Sequence, residues 1–307
     1  MNAAIRAIVR TANGAGIEVI GAQRGFIGLI YGDFVPLTNR SVSNIIQQGG
    51  TILETSRAPE FSTEIIRARA AENLRYRSVN GLIVIGGDGS LAAARAFAAQ
   101  SQIPVMFIPG TIDNDVPNTD NSIGFDTAVN TALQAIDRIR DTAFASERLF
   151  FVEVMGRDSG FIALSVAIGG GAEAVVVPEI PFDINDLCQR IEESQQRGKR
   201  SSIIVVSEGP RTGGAIAIAN RVTDQLGMQS RIVVLGHIQR GGAPTARDRL
   251  LGSRMGAAAV RAFLDNQPSS LIGESGGRII YVPFDQVDGE PRKLDPELIQ
   301  LVYALSI

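Results

Sequence analysis

Short apolar, β-branched runs alternate along the chain with segments whose apolar positions recur every three to four residues. The runs Ile17–Ile20, Leu82–Ile85, Val105–Ile108, Leu149–Val154, Ala174–Val177, Ile203–Val206, Ile232–Leu235 and Ile279–Val282 predict strands. Several are apolar at consecutive positions, which suits parallel strands covered on both faces. Helices are predicted from Met1 onward and over Glu64–Arg75, Ser90–Ala99, Thr127–Thr142, Phe161–Ile168, Ile184–Gln195, Asp248–Leu264 and Pro296–Leu305. In Thr127–Thr142 the residues Val129, Leu133, Ile136 and Ile139 form one stripe. Alternating strands and helices predict an α/β fold with a parallel sheet. The sharpest seam is the Gly/Asp/Asn-rich stretch Asn121–Asp126, after which a second strand–helix series begins. The expectation is two α/β layers with a cleft between them, a usual place for ligands.

Composition narrows the function. The 307 residues suffice for one large or two ordinary domains. With 29 basic against 32 acidic residues, mixed along the chain, the net charge of −3 marks neither a disordered acidic protein nor a nucleic-acid binder. The single cysteine, Cys188, excludes an internal disulfide framework and fits a reducing, cytoplasmic compartment. The single histidine, His237, excludes a histidine-rich metal site. No apolar run reaches the ~18 residues that span a membrane, and the N-terminus reads as helix, not as a secretory signal. Only Lys199 and Lys293 are lysines, and arginine favours bidentate contact with phosphate or carboxylate.

Four stretches carry candidate chemistry. Leu82–Ser90 runs from a buried strand through Gly86-Gly87-Asp88-Gly89 into a helix expected near Ser90. Glycines let backbone approach a ligand, and free amides at a helix start favour phosphate. Asp88 could hold Mg²⁺ there, whereas the plainer reading is a turn with Ser90 as helix N-cap. In Pro109–Asp115, an extended backbone would turn Thr111, Asp113 and Asp115 the same way, so that one carboxylate accepts a proton while the other tunes it or holds metal. The competing reading is an Asx-rich turn. Met155-Gly156-Arg157-Asp158-Ser159-Gly160 again joins a strand, a glycine and an arginine ahead of a helix, as an anion site does. Finally, Arg231, His237 and Arg240 surround one short strand beside Gly241-Gly242, which suits a phosphate clamp. Glu208, after strand Ile203–Val206, could accept hydrogen bonds from a sugar hydroxyl.

Taken in order, Gly86–Ser90, Pro109–Asp115, Ile123-Gly124-Phe125, Arg148 with Val152–Arg157, and Leu235–Gly242 resemble the bacterial-type 6-phosphofructokinases over nearly the whole chain. The resemblance implies phosphorylation of the 1-hydroxyl of fructose 6-phosphate by MgATP. It implies a homotetramer of subunits, each with two three-layer α/β domains of largely parallel sheets facing a cleft. Residues 1–124, with 241–290 returning, would form the larger, ATP-binding domain. Residues 125–240, with 291–307 packing on it, would bind fructose 6-phosphate. By resemblance Asp113 is the general base, with Thr111 and Asp115 beside it and Ile112 in the same substrate-binding stretch. Asp88 is the Mg²⁺ contact, and Gly87, Asp88, Gly89 and Ser90 lie along the ATP phosphates, with Arg57 and Ala58 also at the nucleotide. Arg157 lies near the transferring phosphoryl group. His237, Arg240, Met155, Gly156 and Glu208 hold the sugar phosphate, which Arg148 and Arg231 reach from a neighbouring subunit. Arg6, Arg10, Arg140, Glu173, Arg197 and Lys199 match a nucleotide effector site.

Three departures accompany the match. The family's first strand and its Gly-Gly-Asp-x-Pro-Gly loop normally precede the segment numbered 1–6 here, so a short apolar strand and glycine loop are expected from in-frame codons upstream of Met1. Ala58 replaces an aromatic that some members set against adenine, and Asn39 replaces an effector-site arginine. Two alternatives stand beside the match. In the diphosphate-dependent branch an aspartate and a lysine occupy the positions of Gly89 and Gly110. A non-catalytic paralogue would have lost the base or the metal ligand, yet Asp113, Asp115 and Asp88 are all present.

Overall fold

The computed structural model describes residues 1–143, 149–198, 201–209, 211–290 and 292–306. In chain order its first elements are α1 (Asn2–Gly14), β1 (Val19–Ala22), α2 (Phe26–Tyr31), β2 (Phe34–Leu37), α3 (Glu64–Tyr76), β3 (Leu82–Gly86), α4 (Asp88–Ser101) and β4 (Val105–Pro109). Next come α5 (Phe125–Ala143), β5 (Leu149–Val154), α6 (Phe161–Gly169), β6 (Ala174–Val176), α7 (Ile184–Gln196), β7 (Ser202–Ser207), α8 (Gly214–Leu226) and β8 (Ser230–Val234). The last are α9 (Ala246–Leu264), β9 (Ser270–Ser275), β10 (Arg278–Pro283) and α10 (Pro296–Leu305). The chain divides into two compact units. One comprises residues 1–111, 116–124 and 243–292, the other residues 112–115, 125–242 and 293–307. Ile112–Asp115 therefore group with the second unit, although the resemblance assigned them to the first domain.

In the first unit a sheet of order β10-β9-β4-β3 has β3, β4 and β9 parallel, with β10 antiparallel at the edge. Side chains alternate across it. Leu82, Val84, Val105 and Phe107 face the cluster holding Leu74 and Leu91 of α3 and α4, whereas Ile83, Ile85, Met106 and Ile108 face α1 and α9. Both faces are covered, which is why these strands are apolar at every position. β1 and β2 form a separate antiparallel pair. The second unit repeats the logic with an all-parallel sheet of order β6-β7-β5-β8. Phe150, Val152, Ile203 and Val205 join the cluster of α5 and α6; Leu149, Phe151, Ile204 and Val206 join that of α7 and α8. Each unit is thus a three-layer α/β sandwich. Among the described residues no helix is long and apolar enough to cross a membrane.

The structure adds elements that the hydrophobic pattern did not predict. β2 contains Pro36, which argues against a strand and is accommodated because β2 pairs only with β1. β9 is interrupted by Gly273 and Glu274, and a Gly276-Gly277 turn with φ of 55° and 77° joins it to β10. α8 opens on two glycines and carries no side-chain cap of its own. The Glu153 carboxylate of β5 accepts from Ala215 N at 2.7 Å instead, a tertiary cap invisible to local pattern.

α1 and α9 approach closely through Gly252 and Gly256, one turn apart. A Cβ at Gly256 would lie 2.5 Å from the Ala4 carbonyl oxygen. That oxygen belongs to helix backbone and cannot swing aside, so the two helices must separate to admit a methyl. Gly256→Ala is therefore expected to destabilise the protein by about 1–3 kcal/mol, the usual range for overpacking, as measured by denaturant unfolding.

Candidate active site

In the first unit the chemistry gathers where β3 and β4 end side by side. The ladder continues one step beyond the strands, with Gly110 N donating to Gly86 O at 2.7 Å. Gly86 is required by close approach, because a Cβ there would lie 2.5 Å from Ser90 Oγ. Gly87 is the N-cap of α4 and brings no side chain to cap it, and a helix start of this kind suits an anion. The helix begins at Asp88, so Ser90 lies inside the first turn and is not the N-cap. Asp88 is exposed, and its carboxylate accepts from Gly89 N. The space a side chain on Gly89 would enter is open. Thr111 closes the other side, its Cβ 3.3 Å from where a Gly87 Cβ would sit. Ser122 Oγ donates to Thr111 O at 2.6 Å and pins that peptide. Arg57 is exposed; Ala58 is half-buried against the apolar cluster containing Phe61 and Phe97.

In the second unit the strand order creates a switch point. β5 and β7 are adjacent, yet α6 leaves β5 toward one face while α8 leaves β7 toward the other. The loops after the two strands part at their C-terminal ends, the usual place for ligands in an open parallel sheet. Met155, Gly156 and Arg157 are the first residues beyond β5, and their amides need acceptors. Gln239 Oε1 accepts from Met155 N at 2.8 Å; Glu208 Oε1 accepts from Gly156 N at 3.4 Å and Arg157 N at 3.2 Å. Ser159 N closes the turn onto Gly156 O at 2.9 Å. Gly156 has φ +151° and Arg157 φ +57°, and the Arg157 side chain is exposed. At the start of α6 Glu179 accepts from Gly160 N at 2.8 Å. Burial pushes the Glu179 carboxyl above its ordinary pKa, against the opposing pull of the Gly160 amide, its own amide and Arg211.

Asp113 belongs to this unit and is 8% exposed. Asn114 has φ +55°, so residues 111–115 are no extended strand, and simple alternation does not place Thr111, Asp113 and Asp115 on one face. His237 and Arg240 share a 3₁₀ turn, Gly236–Arg240, where residues three apart eclipse. Both are exposed, while Gln239 between them is buried. Arg231 is exposed on β8, an edge strand.

Arg148 and Lys199 lie outside the described residues. The other residues matched to an effector site are divided between the units: Arg6 and Arg10 on α1 in the first, Arg140, Glu173 and Arg197 in the second. Arg140 donates to the carbonyls of Gly170 and Gly171, and the buried Glu173 carboxylate accepts from Ile203 N. Arg197 pairs with Glu193 at 3.9 Å.

Sequence reasoning assigned no role to Gln239, Ser122 or Ser159. The available signal was their place inside the glycine-rich motifs, where a neutral polar side chain has few tasks other than binding backbone.

The family profile described as phosphofructokinase matches residues 1–263. ATP-dependent 6-phosphofructokinase 1 of Thermus thermophilus is 50% identical over 307 residues, covering 100% of this chain and 95% of that protein. ATP-dependent 6-phosphofructokinase of Clostridium acetobutylicum is 48% identical over 306 residues, with 100% and 95% covered. Among solved structures, Pichia pastoris phosphofructokinase in the T-state matches with a TM-score of 0.88 at 30% identity. That match covers 94% of this chain and 36% of the longer Pichia chain.

Two glycines of the site should respond unequally to a methyl group. At Gly156 a Cβ would overlap Ser159 O in a strained conformation, whereas at Gly89 it meets nothing within 4 Å. Gly156→Ala is expected to destabilise by about 1–3 kcal/mol and Gly89→Ala by less than about 0.5 kcal/mol, compared by urea unfolding.

Proposed function

The chain belongs to the phosphofructokinase family, and we propose that it transfers the γ-phosphoryl group of ATP to the 1-hydroxyl of fructose 6-phosphate. The observation that carries this reading is the uncapped N-terminus of α4, with exposed Asp88 in its first turn and Thr111 packed against Gly87. Asp113, the candidate base, follows Thr111 by two residues in the chain.

In the proposed reaction the Asp113 carboxylate accepts the proton of the 1-hydroxyl as that oxygen bonds to the γ-phosphorus. The bond to the bridging oxygen breaks and ADP leaves. Asp115 tunes its neighbour, and Arg157 neutralises charge on the phosphoryl group in flight, the effect that supplies most of the rate in such transfers. The α4 amides from Gly87 to Ser90 hold the nucleotide phosphates, with Arg57 and Ala58 at the nucleoside. Glu208, Met155 and Gly156 orient the sugar; His237 and Arg240, exposed on one side of their turn, hold its 6-phosphate. Arg148 and Arg231 reach that phosphate from a neighbouring subunit of a homotetramer, and Arg6, Arg10, Arg140, Glu173, Arg197 and Lys199 serve a nucleotide effector. A cytoplasmic location fits both substrates.

Mg²⁺ suits the donor set. Asp88 offers one exposed carboxylate, and among the described residues no group of three or more His, Cys, Asp or Glu could hold an ion alone. Magnesium commonly takes one or two carboxylates and completes its shell with substrate phosphates and water. Bound there it supplies charge neutralisation to the nucleotide phosphates.

The open space in front of Gly89 favours ATP over diphosphate as donor. At Gly110 a Cβ would lie 2.9 Å from Ile85 Cγ2, so the lysine of the diphosphate-dependent branch fits poorly.

Two variants test the reading. Asp113→Asn keeps the shape of the side chain and removes the proton acceptor, so kcat should fall about 10²–10⁴-fold with fructose 6-phosphate binding nearly unchanged. A fall of less than about tenfold, with chemistry rate-limiting, would refute the base assignment. Gly89→Asp sets a carboxylate before the phosphates and should lower kcat/KM for MgATP at least about tenfold while the KM for fructose 6-phosphate holds. A coupled assay for fructose 1,6-bisphosphate reads both. Turnover of wild-type protein with diphosphate but not MgATP would overturn the donor.

A further inference from the structure

Resting on the reading of Asp113 as general base, we propose that Ser159 is a positioning residue whose hydroxyl fixes the base-bearing peptide to the turn that carries Arg157.

Ser159 is 7% exposed and is held at three points. Its Oγ donates to the Asp113 carbonyl oxygen at 2.9 Å. Its amide donates to Gly156 O at 2.9 Å, closing the turn around Arg157. Its own carbonyl accepts from Ser207 Oγ, at the end of β7, at 3.4 Å. Ser207 is fully buried, and its carbonyl accepts in turn from Thr212 Oγ1 at 2.8 Å. A chain of hydroxyls therefore runs from the loop after β7 to the peptide of Asp113, each donating to a backbone carbonyl.

This arrangement answers a local need. Residues 112–115 lie in no helix or strand, and Asn114 at φ +55° bends the backbone immediately after the base. A segment without a ladder takes its orientation from the bonds its carbonyls and amides make elsewhere. The Asp113 carbonyl and Cβ are both carried on the Asp113 Cα, so rotation of the residue as a whole swings the carbonyl, the Cα–Cβ bond and the carboxylate together. The bond from Ser159 opposes that rotation. Because the same residue closes the turn of Arg157, base and arginine share one anchor and keep their spacing. A carbonyl oxygen can only accept, so the partner must be a donor. Alanine would occupy the same space without donating, which separates the hydroxyl's role from packing.

The test is steady-state kinetics on full-length Ser159→Ala, Ser159→Cys and Asp113→Asn proteins, with thermal unfolding of each. Ser159→Ala is expected to lower kcat about tenfold, since small errors in placing a reacting group are amplified in rate, while KM for ATP and for fructose 6-phosphate stays within about twofold. Ser159→Cys retains a weak donor and should recover part of the loss at equal KM. Asp113→Asn should lose far more than either. The proposal is overturned if Ser159→Ala keeps kcat within about twofold of wild type while Asp113→Asn is crippled. It is equally overturned if activity falls only in proportion to loss of folded protein, with no gain from cysteine. An Asp113→Asn protein within about tenfold of wild type would instead remove the base reading and this inference with it, a pattern distinct from the first two.

Discussion

A parallel sheet buried on both faces imposes one condition on everything attached to it: where the ladder stops, the amides beyond it are still inside the protein and must find acceptors. At the end of β5 this condition is met by side chains from two other segments, Gln239 and Glu208. At the end of β4 it is met by the Gly86 carbonyl, which accepts from Gly110 N, whereas beyond β3 the chain emerges at the exposed start of α4. The first solution yields a rigid turn that presents an arginine. The second leaves a helix start, with Asp88 and Gly89, exposed at the surface. One requirement of backbone chemistry thus produces two different kinds of strand end, a braced turn and an exposed helix start.

Much of this was legible in the sequence because burial on both faces leaves a strong trace. The consecutive apolar runs at Leu82, Val105, Leu149 and Ile203 could serve hardly any other purpose, and the glycine motifs followed them at the strand ends where ligand loops belong. What escaped had tertiary causes. α8 starts on glycines because Glu153, far away in sequence, caps it. β9 lacks a strong apolar run because Ser270 only begins the ladder beside Met106, and at Gly273 a Cβ would lie 2.8 Å from Asn118 O. Ser90 read as a cap, yet the helix begins two residues earlier because the strand ends in glycines that let it close in. The convergence of Thr111, Asp113 and Asp115 was inferred from extended geometry, and the left-handed Asn114 shows that the chain takes another path.

The residues that support the site were the hardest to read. Gln239 and Ser159 are buried, and their side chains bind backbone: Gln239 accepts from Met155 N and donates to Ala128 O, and Ser159 donates to Asp113 O. A buried amide or hydroxyl is tolerated when it satisfies a group that would otherwise lose its partner, so such residues collect where regular structure ends. In a lone sequence they look like ordinary loop polarity. Only the placement of β5, β7 and the Gly236–Arg240 turn reveals what they hold.

The packing of α9 on α1 has a consequence for the order of assembly. As the chain leaves the ribosome, the four strands of the second unit are complete by Val234, and they form an uninterrupted parallel sheet. The first unit is still unfinished at that moment. β9 must enter beside β4, and α9 must cover Met106 and Ile108, before its sheet is sealed on that face. Its N-terminal half therefore waits, with apolar surface uncovered, through the synthesis of more than a hundred residues that belong to the other unit. Contacts this distant in sequence form slowly and expose the chain to misassociation meanwhile. The sheet of the second unit is therefore complete first, although its core closes only when α10 adds Val302; the sheet of the first unit waits with one face uncovered.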